Sequence, residues 1–225
     1  VNDVKPAGVP VTAALDTSDA AQAAHVALRA IEAVHGDGAL PRIPIRMVVD
    51  VAFEAAYVRS PEDGTPQAIL LYGQSTLPEW ALIHEIGHFL DQQTLGERGS
   101  FASQNSESFG DWRRAVDATQ SVRHLQEMVR DGGVTVVQNG IARHVPVRSG
   151  FLATQITFPE IWARSYAQYI ATRGGSDVLR AQLRGLLRTS ASGGDAPYTL
   201  HWEADDFIPV LDAIDRLLQR KGWRQ

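Results

Sequence analysis

The sequence predicts an α+β domain: a small mixed sheet packed on one central helix, then a largely helical C-terminal part carrying an inserted β-hairpin. Three observations lead there. Short β-prone runs cluster between residues 45 and 73, helical periodicity dominates afterwards, and an Asn-Gly pair between two further β-prone runs interrupts the helical half. With 225 residues, 44% of them hydrophobic and 21% charged, the chain can bury a core as one domain spanning 1–225.

Taken in order, Ser18 is placed to cap a helix from about Asp19 to His35, with Val26, Ile31 and Val34 among its apolar positions and Gly36 as its stop. IRMVVDV (45–51), AAYVRS (55–60) and QAILLYG (67–73) are β-prone runs separated by turn formers such as Pro61, Gly64 and Pro66. TLPEWALIHEIGHFLDQQTLG reads as a helix: Thr76 and Glu79 have capping-box spacing, Pro78 suits a first turn, and Gly96 lies just past the end. From Ser106 to Arg130 the pattern is helical again, as one bent helix or two. VTVVQ (134–138) and IARHVPV (141–147) flank Asn139-Gly140, which supplies the positive backbone angles of a tight hairpin turn. FPEIWARSYAQYIATRGG forms a helix ending near Gly174, the stretch to Arg188 continues helical, and FIPVLDAIDRLLQRKG closes the chain as a helix stopped by Gly222.

Composition narrows the chemistry. The net charge of -5 arises from scattered residues with no basic stripe, which argues against a nucleic-acid partner. Cysteine is absent, so disulfides, thiol catalysis and thiolate metal sites are excluded, any metal must be held by histidine and carboxylate, and a reducing cytosol fits. No apolar run approaches the ~20 residues of a membrane span, and the start lacks the layout of a secretory leader. The expectation is a soluble chain without a membrane partner, cytoplasmic as written. Opening on Val1, it reads as a processed product or as part of a larger protein that delivers or releases it.

His84-Glu85-Ile86-Gly87-His88 matches the pattern H-E-x-x-H. Histidines four apart lie one turn above each other on a helix face, so both imidazoles can reach one metal. Zn2+ suits such ligands and leaves a position for water, whose proton Glu85 can take as general base. The bland alternative is a satisfied core pair of histidines. Against it, Leu82, Ile83, Ile86, Phe89 and Leu90 mark a buried helix, where burying two histidines and a glutamate is costly without a partner such as a metal.

A third protein ligand is needed. The metzincin pattern fails, with Asp91 and Thr94 where glycine and histidine would stand. Asp91 lies about 10 Å along the axis from His84, so its readings are an acceptor that orients an imidazole N–H or a solvated carboxylate near the helix end. Glu160 is the preferred ligand, because Ala163 and Ala167 follow on its face and permit close helix approach. The competing reading makes Glu160 the partner of Thr157 in a capping box. Glu97 and Glu107 are rivals in weaker surroundings.

HEIGHFLD followed by EIWARSYAQYI resembles the gluzincin-type zincins related to the anthrax lethal factor catalytic domain and the Pro-Pro endopeptidases, over about residues 40 to 175. The matching positions are His84, Glu85, His88, Asp91, Glu160 and Ala163. The resemblance implies a zincin-like fold and a zinc-dependent endopeptidase acting on a protein or peptide substrate. It further implies His84, His88 and Glu160 as zinc ligands, Glu85 as base, and QAILLYG as an edge along which an extended substrate pairs. Relatives of this type place a tyrosine near the metal. Here Tyr166 and Tyr169 lie off the Glu160 face and read as core, while Tyr198, His201 and His144 fall in loop or hairpin contexts, leaving that role unassigned. Trp162, Trp202 and Tyr72 read as packing residues. Two other classes stay open: a catalytically silent zincin scaffold serving as a binding or phage- or toxin-associated structural module, and a hydrolase of a non-peptide amide or ester.

Overall fold

The computed structural model describes residues 19–36, 40–49, 53–96, 99–138, 141–146, 149–191 and 200–224. Helix α1 (Asp19–His35) precedes three strands, β1 (Ile45–Val48), β2 (Ala55–Arg59) and β3 (Pro66–Tyr72), which lead into α2 (Pro78–Gln93). After the single turn α3 (Ala102–Asn105) and a 3-10 turn (Glu107–Phe109) come α4 (Gly110–Ala118) and α5 (Gln120–Asp131). The hairpin β4 (Gly133–Gln138) and β5 (Ile141–Pro146) separates these from α6 (Ser149–Gln155), α7 (Phe158–Arg173), α8 (Asp177–Ala191) and α9 (Ala204–Arg220). The architecture is α+β with a small mixed sheet, as the sequence predicts.

The helical stretch between 106 and 130 divides in two at Thr119, whose backbone is extended (φ -71, ψ 147) and whose hydroxyl accepts the Val122 N–H to cap α5. From α9, the Asp206 carboxylate takes the next two free amides, those of Gln120 and Ser121, at 2.8 and 3.0 Å. The hairpin pairs Gln138 with Ile141 as the Asn-Gly spacing requires. Asn139, Gly140, Ser18, Glu97 and Tyr198 lie outside the described residues.

Strand order corrects one expectation. The sheet runs β1-β3-β2, with β1 parallel and β2 antiparallel to β3, so the QAILLYG strand is central and β2 forms an edge. The reason lies in the side chains. Ala68, Ile69 and Leu71 are buried and suit a strand flanked on both sides, whereas β2 is half-buried and ends on exposed Arg59.

Neither expected capping box forms. Leu77 caps α2 without a side-chain bond; the Thr76 N–H goes to Glu54 at 2.9 Å and Glu79 accepts from Gln182 at 2.6 Å. At α7 the Thr157 hydroxyl donates backwards to the Thr154 carbonyl, leaving Glu160 for other contacts. In both helices proline occupies the first turn, where its missing N–H leaves fewer amides to cap.

Helix α2 runs through the core. Its partners are β2 and β3 on one side and α1 and α7 on others. Leu82, Ile83, Ile86, Phe89 and Leu90 are all buried, each contributing roughly 1.5–3 kcal/mol of apolar burial. Every residue of α7 from Ile161 to Ala171 is buried, which explains why it shows no polar face. Trp162 and Trp202 are core residues as expected, as are Tyr166, which approaches His35 at 2.9 Å, and Tyr169, which donates to Asp215 at 2.6 Å. Among the described residues no helix is long and apolar enough to cross a membrane.

Candidate metal centre

The two histidines of α2 stand one turn apart, and their Nε2 atoms converge to 3.2 Å with the rings nearly perpendicular. From the first turn of α7, the Glu160 carboxylate faces both: Oε2 lies 3.4 Å from His84 Nε2 and Oε1 lies 3.3 Å from His88 Nε2. Three groups from two helices thus bring two nitrogens and two carboxylate oxygens together at separations of 3.2 to 3.4 Å. A tetrahedral ion with bonds of about 2.0–2.1 Å requires ligand atoms about 3.3 Å apart, so the donor set fits one.

What brings the helices so close is the absence of a side chain. A Cβ on Gly87 would meet the Ala163 Cα at 3.0 Å and Tyr166 Cδ1 at 3.4 Å. Trp162 Nε1 donates to the Gly87 carbonyl at 3.0 Å, locking the crossing from behind. Gly87 therefore sits between the two histidines and against the residue three beyond Glu160, so the contact that sets helix spacing also sets ligand spacing.

Glu85 points elsewhere. Its Oε2 accepts the Tyr57 N–H of the edge strand at 2.7 Å. His84, Glu85 and His88 offer ligand atoms within 4.8 Å of one another, a group that could hold a metal ion. Of the two carboxylates near the histidines, Glu160 approaches more closely and contacts both rings, whereas Glu85 is engaged by the strand. Glu160 thus faces the histidines, and Glu85 faces the edge strand.

Electrostatics follow this geometry. Burial is the largest influence on His88 and disfavours its charged form, but the bond to Glu160 and the charges of Glu85, Glu160 and Asp91 together raise its pKa. Burial pushes Glu160 upward, yet its contacts with both histidines outweigh that and hold its carboxyl well below the usual range. Asp91 is fully buried. Its oxygens accept the Ser103 N–H and hydroxyl, each at 2.6 Å, and burial still pushes its pKa up to about 6. The expected imidazole bond is replaced by this one: Asp91 anchors the α3 turn, while His88 Nδ1 is buried without a partner. Neither sequence reading of Asp91 anticipated that, because Ser103 carries no motif that marks it.

Other neighbours also escaped local patterns. Phe101, just before α3, meets the His88 ring edge to face at 6.2 Å. Buried Arg164, one turn beyond Glu160, donates to the carbonyls of Glu160, Leu200 and Gln155, tying the start of α7 to two other segments. His201 packs against Trp80, one turn before His84, with ring centroids 5.0 Å apart. Burial foremost, then the charges of Arg164 and His84, lower its pKa to about 3, so it is neutral at physiological pH. Of the groups left open for stabilising negative charge, His201 thus lies against the motif helix, while His144 is exposed on the hairpin.

His84, Glu85 and His88 thus form a partly buried group on α2 that could hold a metal ion, and Glu160 of α7 faces both imidazoles. Comparison of the chain with protein-family models, with curated proteins and with solved structures finds no match.

Proposed function

We propose that this chain is a zinc-dependent endopeptidase domain of the zincin type, with His84, His88 and Glu160 holding the metal and Glu85 as general base. The observation that carries the reading is the convergence of the two Nε2 atoms, 3.2 Å apart, with the two Glu160 oxygens, each 3.3–3.4 Å from one of them, contributed by two helices whose spacing is set by Gly87. Zinc held there supplies Lewis-acid polarisation of a carbonyl and acidifies water.

The chain's own groups do the rest. An extended peptide adds to the free edge of β2, whose outward amide at Tyr57 lies beside Glu85. Glu85 takes a proton from water as the water oxygen bonds to the scissile carbonyl carbon. It then passes that proton to the amide nitrogen as the C–N bond breaks, yielding a carboxylic acid and an amine, which exchange the remaining proton to become carboxylate and ammonium. Zinc content and cleavage of a peptide library are the tests. Wild type is expected to retain about one zinc per chain after dialysis and Glu160→Ala to lose it. Glu85→Gln is expected to keep the metal while cleavage falls about 10²–10⁴-fold. Full zinc retention by Glu160→Ala would overturn the ligand assignment.

A silent scaffold is the second reading, favoured by the bond that ties Glu85 to the Tyr57 amide, since it gives the carboxylate a structural partner. It predicts that zinc binds, no peptide is cleaved, and Glu85→Gln lowers stability without any lost turnover.

A further inference from the structure

One end of the β2 edge carries a charge beside the site. The register slips between Val58 and Arg59, which faces Pro66. The residue left over is Gln67 of β3, so β2 itself stays regular through Arg59, and pairing continues with the Ser60 N–H donating to the Thr65 carbonyl at 2.8 Å. Its guanidinium lies 5.7 Å over the Phe101 ring, and Phe101 in turn packs on His88. That platform is fixed in place: Ser103, two residues on, is held by Asp91, and its carbonyl accepts from Arg113 at 2.9 Å. Among the described residues no carboxylate forms an ion pair with Arg59. Arg59 is thus a cation stationed on the aromatic ring that packs against His88.

We propose that Arg59 and Phe101 form a subsite that selects an acidic side chain on the N-terminal side of the scissile bond, an inference that rests on the peptidase reading above. A peptide adding antiparallel to β2 places its N-terminal part toward Arg59, the last residue of the strand. Glu85 meets the strand at Tyr57. Arg59 lies two residues further, about 6.8 Å at ~3.4 Å per residue, so it faces a peptide residue two places N-terminal to the one opposite Tyr57. Cross-strand neighbours present their side chains on one face. A glutamate or aspartate at that place meets the guanidinium in a charge-assisted, two-pronged hydrogen bond, and a lysine meets like charge.

The test uses zinc-loaded full chain and alanine-serine decapeptides in which a single Glu, Gln or Lys is moved along the sequence, with products read by mass spectrometry. Binding of the same peptides, fluorescein-labelled, to Glu85→Gln is measured by anisotropy at low and high salt, giving a readout independent of turnover. Glutamate at one position before the cut is expected to raise both cleavage and binding about fivefold over glutamine, the upper end for an exposed ion pair, with the gain lost at high salt. Arg59→Met abolishes the difference between glutamate and glutamine peptides; Arg59→Glu turns the preference toward lysine. Equal handling of Glu and Gln peptides, a preference that survives Arg59→Met, or one that falls after the cut overturns the subsite alone. No cleavage and no binding across the whole set overturns the peptidase reading and the subsite with it.

Discussion

Replacing Gly87 with alanine tests whether one missing methyl group spaces the ligands. The added Cβ would lie 3.0 Å from Ala163 Cα, against about 3.5–4.0 Å for a relaxed carbon contact, so α7 must retreat by about 0.5 Å. Glu160 rides on the first turn of the same helix. Its distances to His84 and His88, 3.4 and 3.3 Å, would open by a similar amount, beyond the ~3.3 Å edge a tetrahedral zinc requires. Overpacking costs about 1–3 kcal/mol, and the helix propensity of alanine over glycine returns roughly 1 kcal/mol. The net loss is then at most ~2 kcal/mol, a fall in Tm of at most ~8 °C, so the variant remains folded. Zinc affinity should drop further, about 10–100-fold, as it does when a group supporting metal ligands is lost. Competition against a chromophoric chelator reads the affinity and calorimetry reads Tm, each on one sample. If Gly87→Ala holds zinc as tightly as wild type and melts higher, the helix contact is soft and the spacing argument is wrong.

Two further predictions concern pH. Asp91, raised in the folded state from 3.8 to about 6, binds its proton more tightly when folded, so its contribution favours the native state at low pH and declines as pH rises from about 4 to 6. Asp91→Asn removes that decline, which amounts to at most ~3 kcal/mol; urea midpoints across that range, variant against wild type, would refute this if their difference stayed constant. His35, lowered from 6.5 to about 4 chiefly by burial, acts with the opposite sign: stability is lost as pH falls from about 6.5 toward 4. His35→Gln should therefore flatten the acid side of the stability profile, at some cost near neutrality, because the ring approaches both the Trp223 carbonyl at 2.7 Å and the Tyr166 hydroxyl at 2.9 Å. An unchanged acid slope would place the acid-sensitive group elsewhere.

Local pattern carried the sequence reading a long way and then stopped at tertiary contacts. α1, α2, α7 and the hairpin were legible because periodicity, proline at first turns and an Asn-Gly pair are encoded within a few residues. The motif histidines were legible for the same reason. Glu160 required a helix crossing, which Ala163 hinted at and Gly87 completes. The two capping boxes had the right spacing, but Glu79 and Glu160 found distant partners in Gln182 and the histidines. Strand order was misread because β propensity identifies strands without saying which neighbours they take. Tyr57, Phe101, Ser103 and Arg164 left no trace, since each acts through a contact with a residue far along the chain.

The bond from the Tyr57 amide to Glu85 makes two roles compete for one hydrogen. A peptide carbonyl that pairs with this amide displaces the carboxylate, and a carboxylate that keeps it denies the strand a pairing partner. On the proposed peptidase reading, docking and the freeing of the Glu85 carboxylate become a single exchange. The Tyr57 amide proton, bonded to a carboxylate while empty and to a neutral carbonyl while filled, reports in its NMR shift which of the two holds it.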